Sequence, residues 1–204
     1  MSEQLKKVLD RNLQWVKDSQ NCEHFFRFGE GQSQSPQFLC IACSDSRIRP
    51  VEFMGLDSGD LFVHRNVANL TSDRDGSWNS ALHVALEELD LREIIVVGHF
   101  GCLGILRGYH QSANGELERW LSPIVEIKER NSKELLALDD ESERLDRLSE
   151  LNVIEQVKKI ANHELVKKAV EKGRTISIHG LIYNIPEGLL TDLKCSIILP
   201  LEGA

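Results

Sequence analysis

Aromatic side chains, positive charge and long apolar runs are all scarce in this sequence. Only 6% of its 204 residues are aromatic, so leucine, isoleucine and valine must provide most of the core packing. The net charge of −8 argues against a nucleic-acid partner, although a small anion could still bind in a local pocket. No apolar run is long enough for a membrane span, and the N-terminus lacks the apolar segment of a signal peptide. We therefore expect a cytoplasmic protein.

The sequence also lacks the glycine-rich motifs GxGxxG and GxxxxGK[ST], so nucleotide chemistry has no support. Cysteines, by contrast, are present in an odd number and are widely spread along the chain. In a reducing compartment such cysteines are buried small hydrophobes, metal ligands or nucleophiles. The five are Cys22, Cys40, Cys43, Cys102 and Cys195.

Short apolar strands that alternate with amphipathic helices predict an α/β fold. FLCIA (38–42) and EIIVVGH (93–99) are continuous apolar runs too short for helices, which is typical of buried parallel strands. The other predicted strands are 60–66, 176–183 and 196–199, and the predicted helices are 2–18, 77–90, 117–131 and 142–172, the last capped by Gly173. This order predicts one domain over 1–204, with a central, largely parallel β-sheet flanked by helices. An N-terminal amphipathic helical arm and a connector are predicted over 1–35.

Two short segments rich in metal-ligand residues directly follow the two buried strands: CSDSR (43–47) and HFGC (99–102). Ligands in open α/β sheets bind beyond the carboxyl ends of the strands, so the two segments can face one cleft. Cys43, His99 and Cys102 would then supply two thiolates and one imidazole, a set that binds zinc tetrahedrally with one position open. Each residue alone has a simpler interpretation, because an isolated cysteine or histidine at a strand end is usually a packed structural residue.

Six segments, taken in order along the chain, resemble signature regions of the β-class carbonic anhydrases. They are QSP (34–36), CSDSR (43–47), GDLFVHRNVANL (59–70), VVGHFGCLGI (97–106), ELNVIEQV (150–157) and SIHGLIYNIPEGLL (177–190). The resemblance implies a lyase that hydrates carbon dioxide reversibly to bicarbonate and a proton by zinc-bound hydroxide. It also implies one zinc ion per chain, held by Cys43, His99 and Cys102 with water in the fourth position.

The resemblance also assigns roles to residues around the three ligands. Asp45 and Arg47 match a catalytic pair in which the arginine keeps the aspartate ionised and oriented. The positions that match substrate-binding residues are Gln34, Phe62, Leu103, Gly104 and Tyr183. For His64 and Arg65, a structural ion pair and a catalytic task remain equally open.

Two places in the sequence depart from the family pattern. Leu103 and Gly104 stand where the family commonly has two glycines, so the Leu103 side chain could narrow the pocket mouth or require a different backbone angle. Cys40 stands at the position of a tryptophan that, in some members, helps bicarbonate to close the site. Because cysteine lacks the indole N–H and its bulk, we expect an open site in which Asp45 is bonded to Arg47.

Two other functions are compatible with the same sequence. The first is a hydrolase of carbon disulfide or carbonyl sulfide on the same scaffold, which the presence of Leu103 keeps open. The second is a non-catalytic protein that binds zinc or bicarbonate. The resemblance further implies a homodimer or homotetramer, in which the amphipathic helix 2–18 packs on a second copy, although it could equally pack on its own core. No nucleic-acid or membrane partner is expected.

Overall fold

The computed structural model describes residues 2–19 and 34–200, which form helices around one β-sheet. The helices are α1 (Glu3–Ser19), α2 (Pro50–Phe53), α3 (Gly76–His83, continued by a π-helical turn over Val84–Glu88), α4 (Leu103–Tyr109), α5 (Gly115–Arg130), α6 (Ser132–Leu136), α7 (Glu141–Asn162) and α8 (Glu164–Glu171). The strands are β1 (Phe38–Cys43), β2 (Leu61–Asn66), β3 (Glu93–His99), β4 (Ile176–Asn184), β5 (Leu189–Asp192) and β6 (Ile197–Leu199). Most of the predicted connector, and Cys22 with it, lies outside the described residues. None of the described helices is long and apolar enough to cross a bilayer.

The sheet has the strand order β2-β1-β3-β4-β5, and β6 also pairs with β4. Strands β2, β1, β3 and β4 are mutually parallel, whereas β5 and β6 are antiparallel to β4. The predicted central sheet, largely parallel and flanked by helices, is therefore confirmed. The sequence does not predict β5, because only two of its four residues are apolar and most of the strand is exposed.

Parallel pairing brings the carboxyl ends of four strands to one edge of the sheet. Cys43 at the end of β1 pairs with Asn66 at the end of β2. His99 at the end of β3 pairs with Tyr183 near the end of β4, and β3 also pairs directly with β1. The segments that the sequence singled out, which begin at Cys43 and His99, therefore emerge side by side.

Aliphatic side chains form the core on both faces of the sheet. One face packs against α3, α7 and α8, and the other packs against α4 and α5. Fully buried residues on the first face include Leu39, Ile41, Ile94, Val96, Trp78, Leu82 and Val157, and those on the second include Cys40, Ala42, Val97 and Ile124. Each buried leucine, isoleucine or valine contributes roughly 1.5–3 kcal/mol, so a core poor in aromatic residues is sufficient for this chain length.

The single helix predicted over 142–172 is wrong. The segment forms α7 and α8, which are separated at His163, a residue with an extended backbone. The His163 ring accepts a hydrogen bond from the N–H of Leu165 (3.2 Å), which caps the start of α8, and its other nitrogen lies 3.0 Å from Asn79 Oδ1. These contacts favour a new helix start over a continuous helix. Gly173 follows α8 with a φ of 84°, as predicted.

Two buried histidines flank the ring of Trp78. The ring centroid of His64 lies 5.7 Å from that of Trp78, and the centroid of His163 lies 6.3 Å from it. Burial lowers the pKa of both histidines below the ordinary value of 6.5. The folded chain therefore binds fewer protons than the unfolded chain once the pH approaches that value. The contribution of these two histidines to the free energy of unfolding is fully present above about pH 6.5 and is lost as the pH falls below that value.

We expect the free energy of unfolding, measured by urea titration with circular dichroism, to decrease from about pH 7.5 to about pH 5.5. His64→Gln should make this decrease smaller, because one fewer buried histidine takes up a proton on unfolding. His83→Gln replaces an exposed histidine of α3 and serves as the matched control, with the decrease expected to match that of the parent. The same decrease in the parent and in His64→Gln would show that burial of His64 does not affect acid stability.

Candidate metal centre

Three potential metal ligands meet at the carboxyl edge of the sheet. Cys43 ends β1, His99 ends β3, and Cys102 lies directly before α4. Their ligand atoms all lie within 4.8 Å of one another, and no residue of the three is more than 4% exposed. The two sulfurs are 3.8 Å apart, which is about the separation imposed by tetrahedral zinc with Zn–S bonds of about 2.3 Å. The structure thus brings together the three ligands that the sequence predicts.

The turn between β3 and α4 directs His99 and Cys102 to the same place. Gly101 in this turn has a φ of 66°, a left-handed conformation that glycine adopts without steric penalty. His99 Nδ1 lies 2.9 Å from the carbonyl oxygen of Phe100, so Nδ1 carries the proton and donates it there. His99 Nε2 is left as an acceptor, and it is buried without a hydrogen-bond partner in the part of the chain that the structure describes. A bound metal ion would supply the partner that this buried nitrogen lacks.

The two cysteine sulfurs differ strongly in acidity. A hydrogen bond from the Cys102 thiol holds the pKa of Cys43 below its usual range, with smaller contributions from the backbone N–H groups of Asp45 and Ala68. The Cys43 sulfur and burial hold the pKa of Cys102 above its usual range. One thiolate therefore forms readily, whereas a second one requires a cation in the cluster. Two thiolates and one imidazole form a donor set that suits zinc.

Asp45 and Arg47 form the pair that the sequence predicts, directly after Cys43. Arg47 Nη2 donates to Asp45 Oδ2 (2.7 Å) and Arg47 Nε donates to Asp45 Oδ1 (2.9 Å). The backbone N–H of Arg47 donates to the same Oδ1 at 2.9 Å. These hydrogen bonds hold the pKa of the Asp45 carboxyl well below its usual range. Asp45 is therefore an ionised acceptor with a fixed orientation.

Arg65 of β2 fixes the loop that carries Cys43 and Asp45. Arg65 Nε donates to the carbonyl oxygen of Cys43 (2.8 Å), and Nη2 donates to the carbonyl oxygen of Asp45 (2.7 Å). The sequence left two roles open for Arg65, an ion pair and direct catalysis. The structure supports neither of them, because the guanidinium group bonds to backbone carbonyl oxygens. His64 points to the opposite face of the strand, towards Trp78.

Comparisons with known proteins identify the family. The family model described as carbonic anhydrase matches residues 38–190 of this chain. The chain belongs to the carbonic anhydrase family. A carbonic anhydrase of Emericella nidulans is 37% identical over 188 residues, which cover 92% of this chain and 82% of that protein.

Solved structures identify the β class of the family. The β-carbonic anhydrase of Coccomyxa, solved in complex with acetazolamide, has a TM-score of 0.88 at 31% identity, and the match covers 96% of this chain and 89% of that one. A tetrameric β-carbonic anhydrase of Sordaria macrospora has a TM-score of 0.84 at 31% identity, with 96% and 100% of the two chains covered. The activity is thus that of a zinc-dependent lyase, the reversible hydration of carbon dioxide.

In this β-carbonic anhydrase, Leu103 and Gly104 are the first residues of α4. Leu103 has an ordinary helical backbone, so the different backbone angle considered from the sequence is not needed, and its side chain is 60% exposed. Gly104 is buried, and a Cβ at this position would lie 2.9 Å from Ala68 Cβ. Glycine is therefore required for close packing at position 104 but not at position 103.

The other predicted substrate-binding residues of the carbonic anhydrase lie at two edges of the sheet. Tyr183 lies at the carboxyl edge, where it pairs with His99. Phe62 lies near the amino end of β2, four residues before Asn66, which corresponds to about 13 Å along the strand. Gln34 is exposed and leads into the amino end of β1. Within a single chain, Phe62 therefore does not lie beside the ligand cluster, and Gln34 lies at the same distant edge of the sheet.

Cys40 packs inside β1, as the sequence predicts. The residue is fully buried, and burial raises the pKa of its thiol to about 12. Its neighbours in the apolar cluster include Ala42 and Ile95, so it functions as a small hydrophobic residue. An indole N–H, the donor that some family members present to bicarbonate at this position, is absent from the side chain.

Proposed function

We propose that Cys43, His99 and Cys102 hold the zinc ion of this carbonic anhydrase, with Asp45 and Arg47 as the catalytic pair. One observation carries this assignment. The buried Nε2 of His99 has no hydrogen-bond partner in the described chain, and two sulfurs lie within 4.8 Å of it. When bound, zinc supplies the Lewis acidity that makes water a nucleophile near neutral pH.

The chain's own residues supply orientation and charge around this cluster. Asp45 Oδ1 accepts two hydrogen bonds from Arg47 and Oδ2 accepts one, so Oδ2 can accept a second one from a water molecule while Arg47 holds the carboxylate in place. A lone pair of that water can then be directed towards carbon dioxide. We assign Leu103, Gly104 and Tyr183 to the substrate pocket because they lie next to the proposed ligands: Leu103 and Gly104 directly follow Cys102, and Tyr183 pairs with His99.

A hydration assay tests this function directly. We expect the purified protein to contain one zinc ion per chain and to hydrate carbon dioxide at neutral pH in a stopped-flow assay with a pH indicator. Carbon disulfide and carbonyl sulfide are included because the exposed Leu103 lies at the start of α4. Sulfide release without hydration would assign the hydrolase function instead. Bound zinc with neither reaction would indicate a binding protein.

We also propose that the carbonic anhydrase is a homodimer or a tetramer in which neighbouring chains share active sites. Four apolar side chains of α1 are 47–62% exposed in the single chain: Leu5, Val8, Leu9 and Leu13. A second copy would bury them, which favours association. The distance of Phe62 from its own cluster supports the same arrangement, because a pocket that contains Gln34 and Phe62 then needs the neighbouring chain. The related enzyme of Sordaria macrospora is tetrameric.

The double substitution Leu9→Glu and Leu13→Glu is expected to convert the oligomer into monomers, because two charges would be buried in the apolar contact. Size-exclusion chromatography with light scattering measures the mass, and the hydration rate should decrease with it. Gln14→Glu adds one charge on the polar side of α1, where Gln14 bonds to Asp18, and should leave the mass unchanged. An unaltered mass in the double variant would remove α1 from the interface.

We further propose a cytoplasmic location and a single domain over 1–204. Four cysteines in the described chain are free: Cys40, Cys43, Cys102 and Cys195. Two of these are the proposed ligand thiols, which bind zinc only when reduced, as a reducing compartment keeps them. Fractionation of cells that express the tagged protein tests the location. The single domain is supported by the pairing of all described strands in one sheet.

A further inference from the structure

The turn that follows β2, residues 67–71, lies between Cys43 and the start of α4. Within this turn, Ala68 is fully buried and belongs to the same apolar cluster as Cys43 and Cys102. The Ala68 side chain lies against Gly104, where an added Cβ would come within 2.9 Å of it. Cys102 directly precedes α4, so the 67–71 turn lies beside two of the three proposed ligands, Cys43 and Cys102.

The backbone of the 67–71 turn is in an unusual conformation. Ala68 has a φ of 65° and Asn69 has a φ of 47°, both in the left-handed region that residues other than glycine rarely adopt. Such a conformation persists only where surrounding contacts fix it. If the turn relaxed, Ala68 would move relative to Cys43 and to the start of α4.

Two amide side chains of α7 make several of those contacts. Asn152 Nδ2 donates to the carbonyl oxygen of Ala68 (2.9 Å). Gln156 Oε1 accepts from both the backbone N–H and the hydroxyl of Thr71, each at 2.9 Å, and Gln156 Nε2 donates to Asn152 Oδ1 at 2.9 Å. Asn152 is 1% exposed and Gln156 is fully buried. The pair therefore connects α7 to two points of the 67–71 turn, one on each side of Asn69.

Core packing alone does not account for these amides. Burial of an amide is unfavourable unless it is hydrogen-bonded, and apolar residues of similar size can replace a bonded pair with little loss. We propose that Asn152 and Gln156 are positioning residues that hold the 67–71 turn, and Ala68 with it, against Cys43 and the start of α4. In this way they set the affinity and the geometry of the zinc site. The inference rests on the proposed role of Cys43 as a zinc ligand.

The expected effect follows from the role of the contacts that surround metal ligands. Such contacts fix the position and orientation of the ligand side chains, and their loss typically weakens metal binding about 10- to 100-fold. Asn152→Ala should therefore weaken zinc binding at least about 10-fold, measured by competition with a chelator. The thiolate-to-metal absorption band of the cobalt-substituted protein should shift as well, because this band reports the charge that the sulfur donates.

Two further variants separate positioning from support of the fold. Thr71→Val is nearly isosteric and removes one hydrogen bond to Gln156, so it should give a smaller change in the same direction and decides the matter if Asn152→Ala does not fold. Val157→Ala changes a fully buried apolar residue of the same helix. It should lower the melting temperature, but leave zinc affinity and the cobalt spectrum as in the parent.

Unchanged zinc affinity and cobalt spectrum in Asn152→Ala and Thr71→Val would overturn the inference. Equal changes in Val157→Ala would also overturn it, because general packing of α7 would then explain the effect. Failure of the proposed function gives a different result. In that case the parent protein would bind no zinc, or Cys43→Ser would bind zinc as tightly as the parent does.

Discussion

Replacement of Cys43 by serine is expected to reduce the zinc content from about one ion per chain to almost none, and to abolish hydration of carbon dioxide. Cys43 is one of the three proposed protein ligands, and it is only 4% exposed, so water cannot easily take its place. A serine hydroxyl is a neutral, hard donor that binds zinc much more weakly than a thiolate. Metal analysis after gel filtration with a chelator, together with stopped-flow rates, measures both effects.

Cys40→Ser is the matched control for this experiment. It makes the same substitution three residues earlier in β1, at a fully buried cysteine that is not one of the three proposed ligands. A hydroxyl buried there should lower stability, yet zinc content should stay at one ion per chain. Retention of stoichiometric zinc and full turnover by Cys43→Ser would exclude Cys43 as a ligand. Equal zinc loss in both variants would attribute the effect to general destabilisation.

The fold could be predicted where a local pattern also decides the packing. Strands β1 and β3 are buried on both faces, which produces a continuous apolar run in the sequence. The end of helix α7 could not be predicted in this way. The break depends on His163, whose ring bonds to Asn79 of α3, and a partner 84 residues away leaves no local signal. Strand β5 likewise exists only because the chain returns along β4.

The cluster of Cys43, His99 and Cys102 could be predicted because the position of these residues along the chain almost determines their position in space. Cys43 and His99 end strands that lie side by side, and parallel strands place such ends together. The role of Arg65 could not be predicted, since its partners are backbone carbonyl oxygens that are present in any sequence. The same reason hides the amides of α7 that bond to the 67–71 turn. The distance between Phe62 and the ligand cluster could not be predicted either, because it depends on the direction and register of strand β2 in the sheet.

Replacement of Arg47 by alanine is expected to lower the hydration rate about 100-fold or more, with zinc content and melting temperature close to those of the parent. The Arg47 side chain is 54% exposed, and its hydrogen bonds to Asp45 and to the carbonyl oxygen of Gly101 involve no core residue. Its loss should therefore leave the apolar packing intact. Zinc analysis, thermal unfolding and stopped-flow rates of the same preparation measure the three quantities.

The loss of rate should come from a change in the orientation of Asp45 rather than in its charge. Arg47 holds the pKa of Asp45 below its usual range, and in Arg47→Ala that pKa would rise only towards the usual value, so the carboxylate stays ionised at pH 7. It retains the bond from the backbone N–H at position 47, but it can rotate towards the cluster and take the fourth ligand position that water needs. Arg47→Lys keeps the charge without the paired donors, so it should recover only part of the rate. Arg49→Ala removes a nearby exposed arginine that bonds to Glu52, and it should change neither rate nor stability. If Arg47→Ala lost stability in parallel with activity, the pair would be a support of the fold rather than part of the catalytic site.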